Sequence, residues 1–243
     1  MSEFKLPTET VELPSKGLLY PENSELAKGT VEIKYMTAKE EDILTNQSYI
    51  KDGVVLDKLL KSVVVSEINF DDLLIGDKNA LMIATRILGY GSKYNFSYNG
   101  EDEEIDLSLL ENKNIKEDLF QNRVNEFPFT LPFSKNEITF KILTHKDEKM
   151  ITREIEGLKK INKKNVPELT TRLKYIITSV EGKRDTKDIR DFVDNYLLAK
   201  DSKSLRDYIK EIQPDVDLTF FPNDSENRAG IPISVSFFWP DAG

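Results

Sequence analysis

With 243 residues, 39% of them hydrophobic and 32% charged, the chain can bury the core of one large domain or of two domains of ~100 residues each. The absence of cysteine and a histidine count of one exclude disulfides, thiolate metal sites, cysteine nucleophiles and His-rich metal clusters; 11 Gly and 10 Pro are too few for low complexity. The net charge of -9 is uneven: residues 1–122 carry 13 Lys and Arg against 23 Asp and Glu, and the remainder 21 against 20, so an acidic front repels phosphate backbones and no pure basic stripe offers them a seat.

Residues 1–30 read as an extended N-terminal arm, in which Leu18, Leu19 and Tyr20 crowd between Pro7, Pro14, Gly17 and Pro21. The opening MSEFKLPTETVELP lacks the basic and apolar segments of an export leader, and no apolar run nears the ~20 residues of a membrane span, so a soluble intracellular protein is expected.

A first α+β half is expected over 31–126. Val31, Ile33 and Tyr35 alternate as in a half-buried strand, and Thr37 with Glu40 forms a capping-box pair that starts a helix. Leu56, Leu59, Leu60, Val63 and Val64 make the stripe of a core-facing helix, and Asp77 is expected to cap another that stops at Gly89 and Gly91. The half closes with a hairpin over 94–107 that turns at Asn99 and Gly100. GYGSKY (89–94) follows a helix and lacks the spacing of a phosphate loop, so it reads as a helix cap. The acidic run Glu101, Asp102, Glu103, Glu104 and Asp106 reads as a solvated hairpin tip.

Residues 127–137, with FPFTLPFS, are expected to be a rigid connector, because prolines at this spacing cannot lie inside a helix. A second half, 138–235, repeats the order of the first: KILTHKDEKMI (141–151) aligns with KYMTAKEEDIL (34–44) at a spacing of 107 residues. Pro167 opens a helix carrying Leu169, Leu173, Ile176, Ile177 and Val180, Thr186 is expected to cap another carrying Ile189, Phe192, Val193, Tyr196 and Leu197, and Leu205, Ile209 and Ile212 continue in a third. A closing hairpin is expected over 217–235, with its turn at Pro222, Asn223 and Asp224. His145 reads as a surface residue on a first helical turn, and GLKKINKK (157–164) as a solvated helix end or loop. No catalytic, metal or cofactor site emerges, and the chain is expected not to be an enzyme.

The aromatic tail, 236–243, places Phe237, Phe238, Trp239 and Pro240 together. Consecutive rings point to opposite sides of an extended chain, so at least one should be left for a second surface, although a self-packed groove fits the residues equally. These four residues, with Leu18, Leu19 and Tyr20, are the candidate partner-binding set.

LPSKGLLYP (13–21), GTVEIKYMTAKEEDIL (29–44), RILGYGSKY (86–94) and FFWP (237–240) resemble the baseplate hub protein family of T-even-like contractile-tailed bacteriophages. The resemblance implies a virion structural subunit or a tail-assembly chaperone, found in the tail baseplate and, during assembly, in the host cytoplasm, with other baseplate or tail proteins as partners. Family members carry ribbon-like cysteine pairs at the hairpins, which this sequence lacks. An alternative is a nucleic-acid accessory protein with degenerate ribbon-like hairpins, against which the acidic front stands.

Overall fold

A computed structural model describes residues 6–161, 166–223 and 227–238, and the fold is mixed α+β, with eight α-helices and several small antiparallel sheets among them. The supposed arm is part of it. Strand β1 (Thr8–Glu12) pairs antiparallel with β2 (Thr30–Lys34), Val11 opposite Val31. The loop between them turns at Lys16 and Gly17, both at positive φ (51° and 75°). A Cβ on Gly17 would lie 2.5 Å from the Ala27 carbonyl oxygen, so only glycine fits that turn.

Thr37 and Glu40 form the expected capping box and start α1 (Ala38–Leu44). Helix α2 (Gln47–Lys51) follows, then α3 (Val55–Val63), which buries Val55, Leu59, Leu60 and Val63. Beyond α3 the chain rejoins β2, with Val64 bridged to Ile33. Helix α4 (Ile75–Tyr90) leads through Gly91 into β3 (Lys93–Tyr98) and β4 (Glu101–Asp106). Their tight turn has Asn99 and Gly100 at φ 52° and 88°, as a two-residue hairpin loop requires.

Residues 127–137, expected to be a rigid connector, include regular structure. They contain β5 (Phe127–Thr130), which pairs with β6 (Glu137–Phe140), and β6 pairs in turn with β7 (Ile177–Val180). Pro128 is tolerated because β5 is an edge strand, where a missing N–H leaves no gap in the ladder. Helix α5 (His145–Ile161) follows β6, α6 (Glu168–Ile176) runs into β7, and α7 (Thr186–Asn195) and α8 (Ala199–Ile212) complete the helices. The expected last hairpin shrinks to β8 (Thr219–Phe220) and β9 (Ala229–Gly230); its turn residue Asp224 lies outside the described residues.

The front and back of the chain share one core, a continuous cluster reaching from Leu13 to Phe238. After α8 the chain returns to the front: Lys113 N–H donates to the Asp215 carbonyl and Asp217 N–H to that of Glu111, each at 2.8 Å. Gly76 lets this crossing lie flat on α4, since a Cβ there would overlap the Pro214 carbonyl and sit 2.8 Å from Asp215 Cα. Among the described residues, no helix is long and apolar enough to cross a membrane.

Candidate functional site

Most of the residues expected to bind a partner are core residues. Leu19 and Tyr20 are 4% and 2% exposed, and Phe237 and Phe238 are buried as deeply; Leu18 is half-buried. Phe237 packs edge-on against Tyr94 at 4.8 Å and against Phe238 at 5.3 Å, so the two rings lie on the chain's own front portion. They avoid the opposite-faces constraint because residues 235–238 form a 3-10 turn instead of a strand. Trp239 and Pro240 lie outside the described residues.

Arg86 holds that turn in place. Its buried guanidinium donates to the carbonyls of Phe237 (2.9 Å), Gly91 (2.9 Å) and Lys93 (3.2 Å), joining the α4 end, the start of β3 and the C-terminal turn. Burial lowers its pKa from the usual guanidinium value. GYGSKY is thus a helix end fastened by an arginine. In the acidic run, Glu103 turns inward and accepts from the Asn223 N–H at 3.0 Å, so that carboxylate belongs to the packing of β4, not to a solvated tip.

Two buried aspartates fasten two loops. Asp77 is the third residue of α4 and does not cap it. Its carboxylate accepts from the Ser15 N–H (2.9 Å), the Ser15 hydroxyl (2.6 Å) and the Tyr20 hydroxyl (2.5 Å). Asp201 is the third residue of α8 and accepts from the N–H groups of Phe133 (2.8 Å) and Ser134 (2.9 Å). Burial dominates at Asp77 and raises its pKa despite the three donors; at Asp201 burial opposes ionisation, but the two N–H donors outweigh it and hold the carboxyl below its usual value.

Two further carboxylates are held by similar sets of donors. Glu40 accepts from the Thr37 N–H (2.8 Å) and hydroxyl (2.7 Å) and from Lys34 (3.0 Å). Asp147 accepts from the Thr144 N–H (3.1 Å) and hydroxyl (3.0 Å) and from Lys141 (2.7 Å).

His145 is buried, not a surface residue. Its Nε2 lies 3.1 Å from Asp57 and its Nδ1 3.3 Å from the Lys78 ammonium, where the start of α5 meets α3 and α4. Burial raises the Asp57 pKa, but the hydrogen bonds from His145 and Lys78 reverse this and leave it depressed. At the same junction Thr144 bridges Leu74, so the entry to α4 is covered by the entry to α5.

The entry to α8 is open by contrast. Leu198 is 49% exposed, Tyr196 64% and Phe133 53%, and the Lys200 ammonium sits 5.1 Å from the centre of the Phe133 ring. This apolar and aromatic surface lies outside the residues expected to bind a partner, which were those of the tail and Leu18, Leu19 and Tyr20. Its signal was present in the pairs LLIGD (73–77) with LLAKD (197–201) and LPSKG (13–17) with LPFSKN (131–136).

A cleft of about 310 Å³ lies beside α8, lined by apolar Ile75, Leu143, Leu169 and Ile209 with Arg172 and Arg206. Arg172 is taken up by Glu148. Among the described residues, no group of three or more His, Asp or Glu side chains is placed to hold a metal ion. Compared with protein-family models, curated proteins and solved structures, the chain gives no match.

Proposed function

We propose that this chain is a non-enzymatic component of the baseplate hub of a contractile phage tail, a structural subunit or an assembly chaperone that works by docking other proteins. The observation that carries the docking role is the exposed surface of Phe133, Tyr196 and Leu198, three large side chains of the kinds that anchor or line interfaces, held on a loop and a helix entry that Asp201 locks together. The baseplate itself is implied by the resemblance of the 13–21, 29–44, 86–94 and 237–240 segments.

The chain is also read as two versions of one unit, the first beginning at β1 and the second at β5. Supporting this are the strand pairs β1–β2 and β5–β6, the matched Thr37–Glu40–Lys34 and Thr144–Asp147–Lys141 clusters, and the Val64 and β7 returns to the sheet. The aspartates Asp77 and Asp201, each at the third position of a helix after a Leu-Leu pair, add to it. On this reading α4 corresponds to α8, and α7 is an enlargement of the short turn at 70–72.

The test is infection with a phage in which this reading frame is disrupted. Lysates examined by electron microscopy should lack complete tails, and normal tails would overturn the role. Mass spectrometry of purified wild-type virions then separates a subunit, which is present, from a chaperone, which is missing.

A further inference from the structure

We propose that copies of this chain join head to tail, residues 36–38 of one copy pairing with residues 197–199, the entry to α8, of the next. The proposal rests on the two-unit reading above, and its template lies within a single chain. There Leu74 and Thr144 are bridged antiparallel, the His145 N–H donates to the Leu73 carbonyl at 2.7 Å, and the Ile75 N–H donates to the Leu143 carbonyl at 3.3 Å.

The register of the two units places Leu197, Leu198 and Ala199 where the first unit has Leu73, Leu74 and Ile75. It places Met36, Thr37 and Ala38 where the second has Leu143, Thr144 and His145. Both counterparts lack the joint. Among the described residues, the Leu197 carbonyl and Ala199 N–H, and the Met36 carbonyl and Ala38 N–H, make no backbone hydrogen bond to another segment. Leu198 is 49% exposed where Leu74 is 1%, Met36 and Thr37 are only half-buried, and Ala38 is exposed. Each copy therefore uses the joint once internally and presents one unused half of it at either end.

Such a contact is heterologous: it closes into a ring or extends as a filament, depending on the rotation per copy. Charge favours it over a two-fold contact between fronts. Head-to-tail stacking sets the acidic front, with 13 basic against 23 acidic residues, on a back with 21 against 20, whereas a front-to-front dimer opposes two acidic surfaces.

Thr144 and Leu74 form a non-hydrogen-bonded antiparallel pair, a geometry with Cα atoms ~4.5 Å apart that accepts a disulfide. The chain has no cysteine of its own, so introduced ones report cleanly. The double variant Leu74→Cys/Thr144→Cys should close an intramolecular disulfide, which checks the template. Mixed Thr37→Cys and Leu198→Cys proteins should then form an intermolecular disulfide well in excess of Thr37→Cys mixed with Lys203→Cys, whose side chain is exposed on α8.

Sedimentation of the full chain, which needs no change at the Thr37 cap, should show concentration-dependent association that Leu198→Asp weakens about tenfold or more. Wild-type protein that stays monomeric at high micromolar concentration, or cross-linking no stronger than the Lys203→Cys control, overturns the joint. If tails still require the protein in that case, the assembly role stands without it. Self-association of a chain dispensable for tails overturns the assembly role and keeps the joint.

Discussion

The Tyr20 hydroxyl donates to the Asp77 carboxylate at 2.5 Å across 57 residues of sequence, and the same oxygen accepts from the Leu74 N–H at 2.9 Å. One phenol thereby satisfies a buried acid and a free N–H at the entry to α4, and ties the first loop to that helix.

Tyr20→Phe keeps the ring and removes both bonds. A buried donor left without a partner costs about 1–3 kcal/mol, so a loss of that size is expected in urea unfolding. An unchanged midpoint would show that the hydroxyl contributes nothing to the fold.

Arg86→Met should cost about 2–4 kcal/mol, because three carbonyls lose a charged donor. The C-terminal turn depends on one of these bonds, so limited proteolysis should cut within 228–238 faster in the variant. Equal cleavage of both proteins would show that the rings of Phe237 and Phe238 hold the turn alone.

Gly76→Ala tests the crossing of the back of the chain over α4. In an ordinary helix interior the change gains up to ~1 kcal/mol. Here the added methyl overlaps the Pro214 carbonyl, which is backbone and cannot rotate away, so a loss of about 1–3 kcal/mol is expected. A stabilised variant would mean that the crossing yields easily.

Acid should unfold the protein through its depressed glutamates. At Glu40 burial raises the pKa, but hydrogen bonds from Ser62, Thr37 and Lys34 lower it to about 2. At Glu126 the Arg184 and Thr178 bonds, and at Glu154 the Arg190 bond, lower it to about 2 as well. Groups depressed on folding contribute stability above the unfolded value of 4.5 and lose it as pH falls towards 2. Glu126→Gln should therefore narrow its stability gap to wild type across that window. Asp77, raised by burial, runs the other way: its contribution is full below 3.8 and declines as pH rises through its higher folded value. The gap between wild type and Asp77→Asn should shrink with rising pH, and parallel curves would contradict the assignment.

Features carried by short-range bonding were legible in the residues. The Thr37–Glu40 box, the Asn99–Gly100 turn and the α3 stripe each depend on contacts within a few positions, where side-chain type and spacing decide the geometry. What could not be read were pairings between distant segments. Nothing local to FPFTLPFS distinguishes a connector from β5; the difference is whether β6 lies alongside. The direction of Asp77 depends on Ser15 and Tyr20 arriving from a loop about 60 residues earlier, and the burial of Phe237 and Phe238 on Arg86, about 150 residues away. The sequence by itself determined the locally bonded features, the capping box at Thr37, the Asn99–Gly100 turn and the apolar stripe of α3. Tertiary structure alone decided which aromatic residues are spent on the core and which, at the entry to α8, remain outside, because burial is a property of what packs against a residue and not of the residue itself.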